Sequence, residues 1–224
     1  FLTAVQKQNW IISSTMIDFP QEDYSTLESI KATGGIVPDE YWEQNHKLFL
    51  GAAEISVKLG AKYLSMHAGF IDESDSAYAK KFYDRIKCLA DAASDKNIML
   101  LLETGQETAQ ELRHFLEKLN HPAVGVNLDP ANMILYDKGG PVEAVQVLSL
   151  WIKHIHIKDA IRTKQPGTWG TEVPWGDGQV RSKRFLNALE EIGFEGVLAI
   201  EREAGADRLA DIRLAAERLQ RFNG

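Results

Sequence analysis

A chain of 224 residues, 44% hydrophobic and 25% charged, is long enough to bury one sizeable core and reads as an ordinary soluble globular protein. Its net charge of −7 argues against a sequence-independent nucleic-acid surface, which needs a basic footprint. The single cysteine, Cys88, cannot close an internal disulfide, no apolar run is long enough to span a bilayer, and no signal pattern opens the chain. A cytoplasmic protein with neither membrane nor nucleic-acid partners is the expectation. The chain opens on Phe1 rather than methionine, so residues upstream are either removed or outside this sequence.

Trp10 to Met16 is β-branched and reads as a strand, ended by Asp18-Phe19-Pro20. Gln21 to Pro38 reads as a loop with a weak helical segment. Asp39 to Leu59 has the apolar spacing of a long helix, with Asp39 as N-cap and Gly60 as its stop. Lys62–His67 is the next strand, turned by Ala68-Gly69, and Ala77–Ser94 the next helix. Ile98–Glu103 (strand), Glu107–Leu119 (helix) and Val124–Leu128 (strand, ending in Asp129-Pro130) continue the alternation. Pro141–Leu150 is a helix with proline in its first turn. Trp151–Arg162, WIKHIHIKDAIR, reads as a buried strand running out into polar side chains. Alternation there puts His154, His156 and Lys158 on one face and Ile155 and Ile157 on the other. Arg162–Val180 is a long loop rich in Gly, Pro and Trp. Ser182–Ile192 (helix capped by Ser182), Gly196–Glu201 (strand) and Ala206–Phe222 (helix) close the chain.

Alternating βα without a composition break predicts one α/β domain over residues 1–224 with a parallel sheet. Neither a Gly-rich dinucleotide fingerprint nor a P-loop follows a strand, and polar residues gather at strand ends instead. In a (β/α)8 barrel those ends converge on one face, so a TIM barrel is the predicted fold. Six strands are clear. The first strand–helix unit is missing from the count, and a reduced last strand is expected near Glu203–Gly205. An unclosed edge would need covering, by a second copy in a homo-oligomer or by residues outside the sequence.

Four residues stand at the carboxyl ends of four successive strands: Glu103, Asp129, His156 and Glu201. Three carboxylates and an imidazole suit a divalent cation such as Mn2+, Mg2+, Co2+ or Zn2+. A lone strand-end aspartate such as Asp129 serves equally well as a helix cap. Four at equivalent positions are harder to explain that way, and Glu103 and Glu201 each end an apolar run, where a buried carboxylate needs a partner.

The motifs MHAGF, LLLETG, VNLDPAN, HIHIKDA and VLAIERE together resemble the sugar phosphate isomerase/epimerase superfamily. These are xylose isomerase-like barrels that include ketose 3-epimerases, inosose dehydratases and endonuclease IV. The resemblance covers nearly the whole chain from Trp10. It implies that Glu103, Asp129, His156 and Glu201 are metal ligands on the fourth to seventh strands, and that the chain lacks one strand at its start. It also makes Arg162, six residues after His156, a candidate anchor for a substrate oxygen. Two positions depart from the ketose epimerase pattern: Ala109 stands where those enzymes carry a second glutamate, and Asn132 where they carry a histidine.

The expected activity is metal-dependent isomerisation or epimerisation of a sugar or sugar phosphate through an enediolate. Glu103 and Glu201 would be the proton-transfer carboxylates, and His67, Asn132, Lys158 and Arg162 the substrate contacts. A dehydratase acting on a keto-cyclitol such as an inosose would use the same ligands. A DNA-repair nuclease would need more strand-end histidines and a basic face. A non-catalytic scaffold would need no metal. His154 is expected in the core or supporting His156, Asp159 as a cap, and Trp169 and Trp175 as packing or as sugar-stacking aromatics. Arg202 and Arg208 are expected to pair with Glu203 or Asp207 at the surface.

Overall fold

The computed structural model describes residues 2–222. In chain order, α1 covers Leu2–Gln6, β1 Ser14–Ile17, α2 Leu27–Thr33, α3 Asp39–Leu59, β2 Tyr63–Met66, α4 Ser76–Ser94 and β3 Met99–Glu103. Then come α5 Ala109–Leu119, β4 Val124–Leu128, α6 Pro130–Leu135, α7 Pro141–Val147 and β5 Ile152–Ile157. Last are β6 Asp159–Ile161, β7 Thr171–Val173, α8 Ser182–Glu191, β8 Val197–Ile200 and α9 Arg208–Phe222. The main sheet has six strands in the order β1-β2-β3-β4-β5-β8, and the pairs β1–β2, β2–β3, β4–β5 and β5–β8 are parallel. The residues fall into two compact units.

The first unit runs to Glu103 and resumes over Phe115–Gly125. Helix α3 turns Asn45, Phe49, Ala53 and Ser56 inward, the spacing of one helical face. Helix α4 buries Phe82, Ile86, Leu89, Ala90 and Ala93. Strands β2 and β3 pair Leu64 with Leu100 and Met66 with Leu102, all buried. Each such side chain contributes about 1.5–3 kcal/mol by leaving water. Gly60 stops α3 in the left-handed conformation, as its position predicts. Asp39 does not cap α3: Pro38 holds the N-cap position, and Asp39 instead receives Lys81 (2.6 Å) and Arg85 (2.5 Å). Arg85 also donates to the carbonyls of Ile36 and Val37, tying α4 to the start of α3.

The second unit holds Thr104–His114 and everything after Gly125. Its central strand, β5, is buried along nearly its whole length. Val126 pairs with Ile152 but Asn127 with His154, so Lys153 is the extra residue of a bulge. The bulge aligns Asn127 and Asp129 with His154 and His156.

Three local features differ from the sequence expectation. Pro130–Leu135 is a short helix, because Asp129 caps it and Pro130 is pre-set for its first turn. The Trp151–Arg162 stretch is not one strand: it breaks at Lys158, and β6 pairs antiparallel with β7 in a hairpin inside the Gly/Pro/Trp loop. Helix α8 is preceded by Arg181 in the left-handed conformation, with no side-chain cap, so Ser182 is its first residue.

Asp159 is the anchor of that loop. Its Oδ1 accepts from the backbone N–H of Ala160 (2.8 Å) and Val180 (3.0 Å), and its Oδ2 from Gly176 (2.9 Å) and Gly178 (3.0 Å). Burial pushes the carboxyl up, and the four N–H donors pull it back. A Cβ on Gly178 would lie 2.2 Å from Asp159 Oδ1, so only glycine fits there. Replacing Asp159 by Ala orphans four donors. Urea unfolding should show a loss of roughly 3 kcal/mol, and limited proteolysis should cut first between Pro174 and Val180.

Candidate metal centre

In the second unit, three of the predicted ligands meet. Asp129 follows β4, His156 lies near the end of β5, and Glu201 follows β8, its N–H bonded to the Ile157 carbonyl at 3.2 Å. His156 Nδ1 is 3.5 Å from Asp129 Oδ2 and 3.3 Å from Glu201 Oε2. Asp129, His156 and Glu201 each offer one ligand atom, and these atoms lie within 4.8 Å of one another.

Asp129 is both cap and candidate ligand. Its Oδ1 accepts from the N–H groups of Ala131 (2.8 Å) and Asn132 (2.9 Å), starting α6. Thr104 Oγ1 donates to the Asp129 carbonyl and accepts from its N–H, which fixes the backbone. The other oxygen, Oδ2, is buried and accepts no hydrogen bond. That oxygen faces the imidazole of His156 and lies 3.6 Å from the Lys158 ammonium, which answers its charge. Two carboxylates beside one imidazole are a donor set that fits a divalent ion.

Lys158 places a cation at this centre. It is 2% exposed and lies 2.8 Å from Glu201 Oε2 and 3.6 Å from Asp129 Oδ2, and it also donates to Glu203. Burial would push this ammonium down, but Asp129, Glu201 and Glu203 outweigh it and hold it well above the usual lysine range. Glu201 shows the converse. Burial would raise its carboxyl, but His156 and Lys158 hold it well below the usual carboxylate range. Glu201 is thus ionised across the physiological range.

Glu201 and Glu203 point one way, and the residue between them points the other. Arg202 donates to Glu172 on β7 (2.6 Å) and to Asp211 on α9 (2.8 Å), and all three are largely buried. Glu172 also accepts from the N–H groups of Glu203 and Ala204. Arg202 is therefore an internal clamp on the segment that carries Glu201 and Glu203, rather than the surface pair read from sequence. Arg208 donates to the Glu203 carbonyl, at 3.3 Å.

Asn127 lies between the two histidines. His154 Nδ1 is 3.0 Å from Asn127 Oδ1, and Asn127 Nδ2 is 3.2 Å from His156 Nε2. Desolvation, followed by the neighbouring His156, pushes His154 down to about 4. The sequence reading gave Asn127 no role and Glu203 only a surface pairing, although spacing by two from Asp129 and Glu201 places each on a candidate ligand's face.

The other predicted residues lie as follows. In the first unit, His67 Nε2 is 3.4 Å from Glu103 Oε2 at the end of β3, and His67 Nδ1 is buried without a hydrogen-bond partner. In the second unit, Asn132 is buried on α6. Arg162 is turned to Asp137 and to the Gly139 carbonyl (2.9 Å). It lines a cleft of about 490 Å3 with Glu143, Gln179 and Arg181, and Asp129, His156 and Glu201 are not among the residues lining it. Trp169 packs edge-on against Tyr136, and Trp175 against Phe185.

Comparison with known proteins agrees with this architecture. The sequence model of the xylose isomerase-like TIM barrel family matches residues 18–222. A crystal structure of a xylose isomerase domain protein from Planctomyces limnophilus is 31% identical, with a TM-score of 0.92, and the match covers 99% of this chain and 80% of that one. A xylose isomerase-like TIM barrel protein from Mycobacterium smegmatis, solved in complex with magnesium, is 20% identical with a TM-score of 0.74, covering 98% and 75%. An uncharacterized protein of Methanocaldococcus jannaschii is 24% identical over 186 residues, 77% of this chain. The chain spans 61% of that relative's length. Among the described residues no helix is long and apolar enough to cross a membrane.

The low value at His154 has a consequence for stability. The unfolded imidazole titrates near 6.5 and the folded one at about 4. The neutral ring's contribution is complete above pH 6.5 and is lost as the pH falls towards 4. Up to about 3 kcal/mol of unfolding free energy should disappear over that window. His154→Gln should remove this share of the pH dependence, as read from urea midpoints in chelator-treated protein.

Proposed function

Because the chain belongs to the xylose isomerase-like TIM barrel family, we propose that it is a divalent-metal-dependent isomerase or epimerase of a sugar or sugar phosphate. The observation that carries this is the convergence of Asp129 Oδ2, His156 Nδ1 and Glu201 Oε2, with the aspartate oxygen buried and accepting no hydrogen bond. Glu103, which ends β3, is the fourth ligand in this reading. Oxygen-rich donors with one imidazole suit Mn2+, Mg2+, Co2+ or Zn2+.

A bound ion would supply a Lewis acid that polarises a ketose carbonyl and acidifies the proton on the neighbouring hydroxyl-bearing carbon. The chain supplies the proton traffic. Glu201, held ionised by His156 and Lys158, takes the carbon proton. The Lys158 ammonium stabilises the negative charge that develops on the enediolate oxygens, an electrostatic contribution already in place before reaction. In epimerisation a proton drawn from solvent would return to the opposite face through Glu103, and Glu201 would release the one it took to solvent. His67, beside Glu103, contacts the substrate and orients that carboxylate. Asn132 and Arg162 are the remaining candidate substrate contacts.

A second reading is a dehydratase of a keto-cyclitol such as an inosose, in which the enediolate expels a β-hydroxyl. The observation favouring it is Ala109, buried at the start of α5, where a ketose epimerase would carry a second glutamate. Proteins named L-ribulose 3-epimerase and probable 3-DHS dehydratase share the fold.

Elemental analysis of the purified protein should find about one divalent ion per chain, and His156→Ala should lose it. Glu201→Gln should stay folded and lose at least 100-fold in turnover on whichever ketose or keto-cyclitol proves to be the substrate. A Glu201→Gln protein that keeps its turnover would remove the glutamate from the mechanism.

A further inference from the structure

The Lys158 ammonium is held by three carboxylates: Glu201 Oε2 at 2.8 Å, Asp129 Oδ2 at 3.6 Å, and Glu203 Oε2 in a close pair. The first two oxygens are the ones that face His156 Nδ1, at 3.3 and 3.5 Å. A cation taken by His156 Nδ1 and those oxygens therefore shares both of them with the ammonium, and like charges repel across a site withdrawn from water. Glu203 stands apart. It is not among the residues whose ligand atoms gather at the centre, and its side chain is 68% exposed where that of Lys158 is 2% exposed. Its backbone is fixed without the carboxylate, because its N–H donates to Glu172 Oε1 (3.1 Å) and its carbonyl accepts from Arg208 (3.3 Å). A solvated glutamate gains little from an ion pair, so the weight of this one falls on what it does to the lysine.

We propose that Lys158 competes with a divalent ion for Asp129 and Glu201, and that Glu203 sets the affinity for the ion by drawing the ammonium away from those two oxygens. This rests on the metal reading of the site. Glu203 is then a positioning residue, which acts on the ion through the lysine. The carboxylates of Asp129, Glu201 and Glu203 against one ammonium leave two negative charges, the balance that a divalent ion neutralises. Removing the lysine leaves three, and removing the Glu203 charge leaves one. The lysine also keeps Asp129 and Glu201 together when no ion is bound, since two carboxylates facing one imidazole would otherwise repel. The exchange is a move of one ammonium among three partners. It makes and breaks no covalent bond and transfers no proton.

The test measures Mn2+ affinity of the full chain, stripped with a chelator, from the paramagnetic resonance signal of free Mn2+. Thermal unfolding is followed alongside, with and without Mn2+. Lys158→Met should bind Mn2+ about 10- to 100-fold more tightly than wild type. Its chelator-treated form should melt below chelator-treated wild type, and Mn2+ should raise its melting temperature by more. Glu203→Gln should bind about 10-fold more weakly, and Glu203→Asp should regain most of that loss. In the Lys158→Met background the same Glu203→Gln change should alter the affinity by less than about two-fold, because the lysine through which it acts is gone. If Lys158→Met does not fold, Lys158→Gln, polar and uncharged, takes its place in both comparisons. A folded variant without the lysine that binds Mn2+ no more tightly than wild type overturns the competition but leaves the metal site standing. So does a Glu203→Gln loss of the same size in both backgrounds, which would make the glutamate act on the ion directly. If wild type takes up neither Mn2+ nor Zn2+, the metal reading falls and the competition falls with it.

Discussion

The second unit depends on one buried ammonium. Lys158 is withdrawn from water at the point where β5 breaks, and an unanswered charge there would cost several kcal/mol. Asp129 from the end of β4 and Glu201 from the end of β8 answer it, with Glu203 two residues further on. The ends of three neighbouring strands are thereby held around one charge. The same carboxylates are the candidate ligands, so Lys158 and a divalent ion would share Glu201 and Asp129 between them. A site with several carboxylates and a single resident lysine retains enough negative charge to attract a second cation.

Around that charge, each side chain is placed by backbone features that do no chemistry. Asp129 is held by the helix it caps and by Thr104, and only Oδ2 is left to face the centre. Glu201 and Glu203 face Lys158 because Arg202, between them, is fastened on the opposite side to Glu172 and Asp211. Asp159, next to Lys158, gathers four backbone N–H groups and pins the long loop beside the strand end. Lys158 and Asp159 are adjacent residues with opposite duties, one facing the site and one facing the loop. The break between β5 and β6 makes that possible.

Isomerisation, epimerisation and dehydration share their first step, removal of a proton beside a polarised carbonyl. Under the proposed function, the ionised Glu201, the ammonium beside it and a bound ion would serve that step in each case. The reactions part afterwards, on which group returns a proton and to which atom.

The sequence by itself determined the alternation of elements, the strand-end placement of Glu103, Asp129, His156 and Glu201, and the shared face of His154, His156 and Lys158. Those follow from local rules: apolar period, turn residues and the two-residue repeat of a strand. Family motifs in the same stretches then pointed to a metal-dependent sugar enzyme. Pairing decided the rest. The bulge that sets Asn127 against His154 is a property of two strands in register, and nothing within VGVNL or WIKHIHI announces it. Arg202 became a buried clamp because Glu172, thirty residues away in sequence, arrives on a hairpin formed inside a loop. Arg162, at the offset of a substrate anchor, meets Asp137 and the Gly139 carbonyl, partners that its own stretch of sequence does not name. Local periodicity says which way a side chain leaves its own strand. Which partner meets it there is fixed by long-range contacts, and these exist only in the folded chain.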